Sequence, residues 1–163
     1  MITNQLELNK QIYRRYIDLL NTKNFDALPQ VTDPAHYQEI CVGFTPGWVN
    51  MAQALVSLQK VLVGIPDLNA QIEDVTAEGD KVYARLKVRG TQKGTLFGMP
   101  ATHKRYEVQM FDYALIKQGK IVERIQQSDN LGQFIILFKT RAITLSLALA
   151  MLITGLVTAL LIR

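Results

Sequence analysis

The apolar positions change period along the chain. Leu8, Ile12, Tyr16 and Leu19 recur every three or four residues in "NQLELNKQIYRRYIDLL", the spacing of one helix face. Asn4 can cap this helix, and Glu7 can close a capping box. A short second helix is predicted at "NFDAL", stopping at Pro29. "HYQEICV" reads as a strand and "GFTPG" as a turn. Trp48, Met51, Leu55, Leu58 and Leu62 then restore the helical period, so a third helix is predicted from about Trp48 to Leu62 with one buried stripe.

After "GIPDL" the period falls to two. "NAQIEDVTA" and "KVYARLKVRGT" read as strands joined by "EGD". In the second, Val82, Ala84, Leu86 and Val88 share one face, and Lys81, Tyr83, Arg85, Lys87 and Arg89 share the other. "QKGTLFGMPAT" is a connection, "HKRYEVQMFDYALIK" a long strand, "QGK" a hairpin turn and "IVERIQQS" the last strand. "DNLGQFIILF" reads as the start of a helix. Helices segregated from a four-strand meander indicate an α+β fold: a curved antiparallel sheet with helices on its concave face. A cone of that shape has a wide mouth and is a natural small-molecule site.

The end of the chain departs from both periods. Residues 142–162, "AITLSLALAMLITGLVTALLI", carry no charge. As a helix they would measure about 31 Å, close to the roughly 30 Å hydrocarbon core of a bilayer. One C-terminal transmembrane helix is therefore expected, and two units: a pocket domain at 1–138 and an anchor with basic flanks at 139–163. Ser146, Ala150, Thr154 and Thr158 repeat every four residues. They suit close helix packing in lipid, and equally suit ordinary lipid-facing composition. Lys139 and Arg141 on the near side place the domain on the cytoplasmic (or equivalent) face, a tail-anchored layout.

Charge adds little beyond this. Three of the 18 basic residues flank the apolar segment, so the rest nearly balance the 14 acidic ones. The basic isoelectric point is then poor support for nucleic-acid binding, and no nucleic-acid partner is expected. Cys41 is the only cysteine, which excludes an intrachain disulfide and a cysteine metal cluster. The start lacks the apolar core of a signal peptide. His36 and His103 lack metal-like spacing, and no metal or cofactor is expected.

Several side chains could serve chemistry. Asp112 shares parity with Tyr106, Val108, Met110, Ala114 and Ile116 on the apolar face of the long strand. A charge there needs a partner or a proton. It reads as a second pocket acid, as half of a buried salt bridge, or as a residue turned outward by a bulge. Asp129 shares parity with Ile121 and Ile125 if the last strand is regular, which would aim it inward. It fits a helix N-cap equally well. Tyr106, Val108, Met110 and Ile125 are the expected pocket walls, with Trp48 and Tyr37 at the mouth, Trp48 also fitting the core stripe. Glu73 and Glu107 on neighbouring strands could pair with the basic row.

The motifs "PDL" (66–68), "AEGDKV" (77–82), "RGTQKGTLFGMPAT" (89–102), "QGKIVER" (118–124) and "DNLG" (129–132), in this order and spacing, resemble the SnoaL-like polyketide cyclase and ester cyclase family, of the nuclear-transport-factor-2-like superfold. The resemblance spans roughly residues 7–137. It implies a curved sheet around an apolar pocket, often a homo-oligomer, and in the cyclases a metal-free aldol-type ring closure. In those enzymes an aspartate matching Asp129 moves the proton; Asp112 is the weaker candidate. The chain has Gln92 and Ile125 where the family often has His and Trp, and Ala114 and Leu115 where cyclases place polar pocket residues. Three functions fit: a membrane-anchored enzyme acting on a small hydrophobic carbonyl compound, a non-catalytic module binding such a molecule, and an accessory subunit of a membrane complex.

Overall fold

A computed structural model describes residues 2–42 and 45–128. Helix α1 (Ile2–Asn21) leads to a short 3-10 helix (Phe25–Gln30), strands β1 (Gln38–Cys41) and β2 (Val49–Asn50), and helix α2 (Met51–Gly64). Strands β3 (Asn69–Glu78), β4 (Lys81–Thr91), β5 (Arg105–Lys117) and β6 (Lys120–Ser128) follow. The six strands form one sheet in the order β2-β1-β6-β5-β4-β3. Asp129, the expected 138/139 boundary, the uncharged segment and its Ser146, Ala150, Thr154 and Thr158 all lie outside the described residues. Among the described residues no helix is long and apolar enough to cross a membrane.

The meander β3 to β6 is antiparallel, as the alternation predicts. The sheet as a whole is mixed, because β1 runs parallel to β6, with Ile40 opposite Ile125 and Cys41 opposite Gln126. The direction is set before β1 begins. Ile121 donates its N–H to the Val31 carbonyl (2.8 Å), and Asp33 donates to the Ile121 carbonyl (3.1 Å). The chain leaving the 3-10 helix is thereby laid alongside β6 in the same sense.

Both long helices differ from their predicted faces. Helix α1 already includes Asn4, which therefore does not cap it. Its buried side carries Asn9, Tyr13, Tyr16 and Ile17, while Leu8 is exposed. Buried Asn9 donates to the carbonyl of Gly79 in the β3–β4 turn (2.9 Å), which outweighs the apolar pull of Leu8. Helix α2 starts later than predicted because Asn50 is its cap. Gln53 N–H donates to Asn50 Oδ1 (3.0 Å), and Asn50 N–H donates to Gln53 Oε1 (3.1 Å), a complete capping box. Trp48 is left outside the helix and half-exposed. At the far end of α2, a Cβ on Gly94 would collide with the Val63 carbonyl oxygen, so the β4–β5 loop reaches the helix only through glycine.

The β5–β6 hairpin carries the correction that matters most for the site. Its turn uses Gln118 and Gly119 at positive φ (49° and 75°), as a tight hairpin requires. Ile116 pairs with Ile121, but Leu115 pairs with Glu123, so Val122 is an extra residue, a β-bulge. Beyond it the parity of β6 reverses. Arg124 and Gln126 join Ile121 on the buried face, and Ile125 does not.

The core lies between α1, the 3-10 helix and the concave face of the meander, around Tyr13, Leu19, Leu28, Leu86, Ile116 and Ile121. On the outer face the basic row of β4 meets the acids expected for it. Arg85 and Lys87 pair with Glu73 (2.6 and 2.7 Å), and Arg89 pairs with Glu107 (2.7 Å).

Candidate functional site

Strand β5 presents six residues to the concave side. Tyr106 and Val108 are buried and Met110 is half-buried, and together they make an apolar half. Asp112 comes next, and beyond it Ala114 and Ile116 return to the core. The concave face therefore has apolar walls toward the start of β5 and a charged floor in the middle.

That floor is built around Arg124. Its Nε donates to both carboxylate oxygens of Asp112 (3.1 and 2.9 Å), and its Nη2 donates to Asp112 Oδ2 (2.6 Å). Tyr13 from α1 donates its hydroxyl to the same Oδ2 (2.7 Å). Nη1 donates to the Tyr16 hydroxyl (3.2 Å), and the guanidinium lies over the Tyr16 ring, 4.9 Å from its centroid. Tyr16 and Tyr37 share a hydrogen bond (3.0 Å), and Tyr37 donates to Glu39 Oε2 (2.6 Å), which also lies 3.5 Å from Nη1. With its amide oxygen turned to the guanidinium, Gln126 accepts from both terminal nitrogens (3.1 Å to Nη2).

Asp112 is thus half of a buried salt bridge, one of the three roles its position allows. Burial pushes its carboxyl above the ordinary carboxylate range, while the charge and hydrogen bonds of Arg124 and the Tyr13 phenol pull it back. Burial also works against the Arg124 charge. Asp112, Tyr16, Glu39 and Tyr37 more than offset it, and the guanidinium stays protonated well above its usual range. Burial raises the Tyr16 phenol to about 12 and lifts Tyr13 and Tyr37 as well. At neutral pH the tyrosines are therefore donors, not bases. Cys41 is no nucleophile, since burial pushes its thiol up to about 11.

The expected pocket residues separate into groups. Tyr106, Val108 and Met110 share the concave wall. Tyr37 is not at a mouth but buried in the floor. Trp48 is half-exposed beside β2. Ile125 is on the outer face, because the extra Val122 reverses the strand. The same reversal removes the parity argument for aiming Asp129 inward. Arg124, Tyr13 and Glu39 escaped sequence reading. Counted from the turn without a bulge, Arg124 points outward; one inserted residue brings it to the face of Asp112. The available signal was Asp112 itself, since a carboxylate on an apolar face calls for a cation nearby.

Gln92, which replaces the family's frequent His, is fully buried and structural. Its Nε2 donates to the carbonyls of Gly94 and Pro100 (both 3.2 Å), and its Oε1 accepts from Thr102 N–H (3.1 Å) and hydroxyl (2.5 Å). One amide holds both ends of the β4–β5 loop. Among the described residues no group of three or more His, Cys, Asp or Glu is placed to hold a metal ion. On the outer face, Tyr83, Arg85, Phe111, Tyr113, Ile125 and Gln127 line a depression of about 340 Å³, with the Tyr83 and Tyr113 rings 5.4 Å apart.

The comparisons agree with this architecture. The family model for SnoaL-like polyketide cyclase matches residues 10–135. Among solved structures, a candidate SnoaL-like polyketide cyclase from Jannaschia sp. CCS1 superposes with a TM-score of 0.73 at 21% identity, over 81% of this chain and 92% of that one. IdmH, a candidate polyketide cyclase from Streptomyces antibioticus, gives 0.71 at 22% identity, over 77% and 95%. AclR, a candidate hydroxylase from Streptomyces galilaeus, gives 0.70 at 19% identity, over 80% and 95%. At these identities the likeness establishes the fold, and a fold alone does not select a reaction. Comparison with curated protein sequences finds no match.

Proposed function

The chain belongs to the SnoaL-like polyketide cyclase family, and from that premise we propose that it holds a small hydrophobic carbonyl compound at a membrane surface, binding it rather than closing a ring. One observation carries the reading. The acid that faces the concave side, Asp112, is tied up in a buried ion pair, Oδ2 accepting from Arg124 and Tyr13 and Oδ1 from Arg124, which favours a structural carboxylate over a base poised for a substrate carbon. The apolar wall of Tyr106, Val108 and Met110 supplies the area for an apolar ligand. The guanidinium and phenol donors of the floor are taken up by Asp112, Glu39, Tyr16 and Gln126, so the carbonyl character of the ligand follows from the family match and not from a free donor among them. The uncharged residues 142–162 supply the membrane location, with the domain on the side of Lys139 and Arg141.

Acid/base chemistry through Asp129 is the second reading, favoured by the family match running through that residue to 135. The two separate on Asp129→Asn. Binding alone predicts an unchanged ligand complement and no turnover in either protein. A wild type that converts its bound ligand, with Asp129→Asn retaining the ligand unconverted, would replace the first reading with the second.

The outer sheet face favours a second copy of this chain as partner, over an accessory role in a larger complex. Phe111 is 59% exposed beside Tyr83, Tyr113 and Ile125, a cluster of apolar surface unusual for a solvated sheet. Phe111→Glu is expected to convert a dimer to a monomer in analytical ultracentrifugation. A wild type already monomeric at high concentration contradicts this.

A further inference from the structure

Strand β6 carries a second polar residue on the concave side, Gln126, which is 9% exposed. The strand register fixes its place. It lies opposite Asp112 on β5 and opposite Cys41 on β1. The next position of the same parity on β6, Ser128, lies opposite Met110, so Met110 is a diagonal neighbour of Gln126. Gln126 therefore stands where the charged floor gives way to the apolar wall. Cys41 and Met110 beside it are half-buried, so a molecule lying on the wall comes within reach of its amide.

That amide is held in one orientation. A glutamine can offer a ligand either its oxygen or its NH2 group, depending on which way the amide is turned. Here both terminal nitrogens of Arg124 donate to Oε1, and a reversed amide would set Nε2 against the same two donors. Nε2 is thereby directed away from the guanidinium, and among the described residues it donates to no acceptor. The carboxylates nearby are already committed, Asp112 to Arg124 and Tyr13, and Glu39 to Tyr37 and Arg124. A buried NH2 group without an acceptor is rare and costly, and an oxygen brought by a ligand satisfies it.

We infer that Gln126 is the specificity-determining residue of the concave face, its Nε2 donating to the oxygen of a neutral carbonyl group while the apolar remainder of the ligand lies along Tyr106, Val108 and Met110. Charge selects the neutral group over an anionic one. The floor sets two carboxyl side chains, Asp112 and Glu39, against one guanidinium, so it has no net positive charge to hold a carboxylate ligand. A hydrocarbon of the same shape leaves Nε2 unpaired and is rejected on that ground. The inference rests on the proposed reading of an apolar-ligand site, and its test separates the two.

The full chain in detergent micelles, with protein-free micelles as the blank, is titrated with acetophenone, ethylbenzene and benzoate. Affinities and the side-chain amide signals of protein carrying isotope-labelled glutamine are followed together. Acetophenone is expected to bind about tenfold tighter than ethylbenzene, the worth of one net hydrogen bond, and benzoate to bind weakest. Acetophenone alone should move the Nε2 signals of Gln126. Gln126→Glu keeps an acceptor for Arg124 and removes the donor. It is expected to bind acetophenone no better than ethylbenzene, with the ethylbenzene affinity unchanged. The Gln126 signals are read in the wild type, so they decide the matter even if the variant is too unstable to titrate. Equal binding of acetophenone and ethylbenzene by the wild type, tightest binding of benzoate, or a preference for acetophenone that survives Gln126→Glu overturns the role of Gln126 and leaves the apolar site in place. A wild type that binds none of the three removes the apolar-ligand reading, and the role of Gln126 falls with it.

Discussion

Replacing Arg124 by Met is expected to cost about 3–5 kcal/mol, the usual penalty for removing one partner of a buried ion pair. That is a large share of the roughly 5–15 kcal/mol that holds a domain folded. The reason is what remains. Asp112 and Glu39 are 3% and 7% exposed, and without the guanidinium both carboxylates stay buried with no cation in contact. The Tyr13 and Tyr16 phenols cannot supply the missing charge. A urea midpoint is the measurement. It should fall steeply in Arg124→Met, and less in Asp112→Asn, where Arg124 keeps Glu39, Tyr16 and Gln126. The pH dependence has a definite sign. Without Arg124, burial holds the Asp112 carboxyl above its unfolded value, so the folded state takes up a proton more readily. The variant should therefore regain stability as pH falls toward the carboxylate range and lose it as pH rises. A midpoint for Arg124→Met within about 0.5 kcal/mol of wild type, the range of ordinary surface changes, would mean that the floor is not a charged network in solution.

The second large effect concerns location. Residues 142–162 contain seven leucines and three isoleucines, each favouring the centre of a bilayer by about 0.3–0.6 kcal/mol. A chain lacking residues 139–163 is expected to move from the membrane pellet to the supernatant almost completely. It should unfold at the same urea concentration as the domain in the full chain, because the described core lies within residues 2–128 and the family match ends at 135. Aggregation of the shortened chain would show instead that the apolar segment completes the core.

Much of this fold could be read in the sequence because period reports burial directly. Strand β4 alternates so strictly that both its faces and its acidic partners Glu73 and Glu107 are legible. The motif order carried the family. The mixed sheet was not legible, because β1 is four residues long and its direction is set by backbone hydrogen bonds that Ile121 makes with the Val31 carbonyl and the Asp33 N–H rather than by side-chain pattern. Nor was the start of α2, where the cap on Asn50 overrides an apolar stripe that begins at Trp48. The floor of the site was hidden for a sharper reason. A single extra residue, Val122, decides whether Arg124 or Ile125 faces Asp112, and a bulge leaves no mark in hydrophobic alternation. Asp112 was found because it broke the pattern. Arg124 was missed because in a regular strand it would have obeyed it.

The central claim is that the concave face holds an apolar ligand between the wall of Tyr106, Val108 and Met110 and a saturated charged floor. The most direct measurement compares what is extracted by organic solvent from the full chain, purified from its own membranes in mild detergent, with what is extracted from Met110→Trp, whose larger ring fills that wall. The wild type is expected to release a hydrophobic carbonyl compound in stoichiometric amount, identified by mass spectrometry, and Met110→Trp to release none while keeping its far-ultraviolet circular dichroism. A wild type that carries nothing, or the same compound in equal amount from both proteins, would contradict the account.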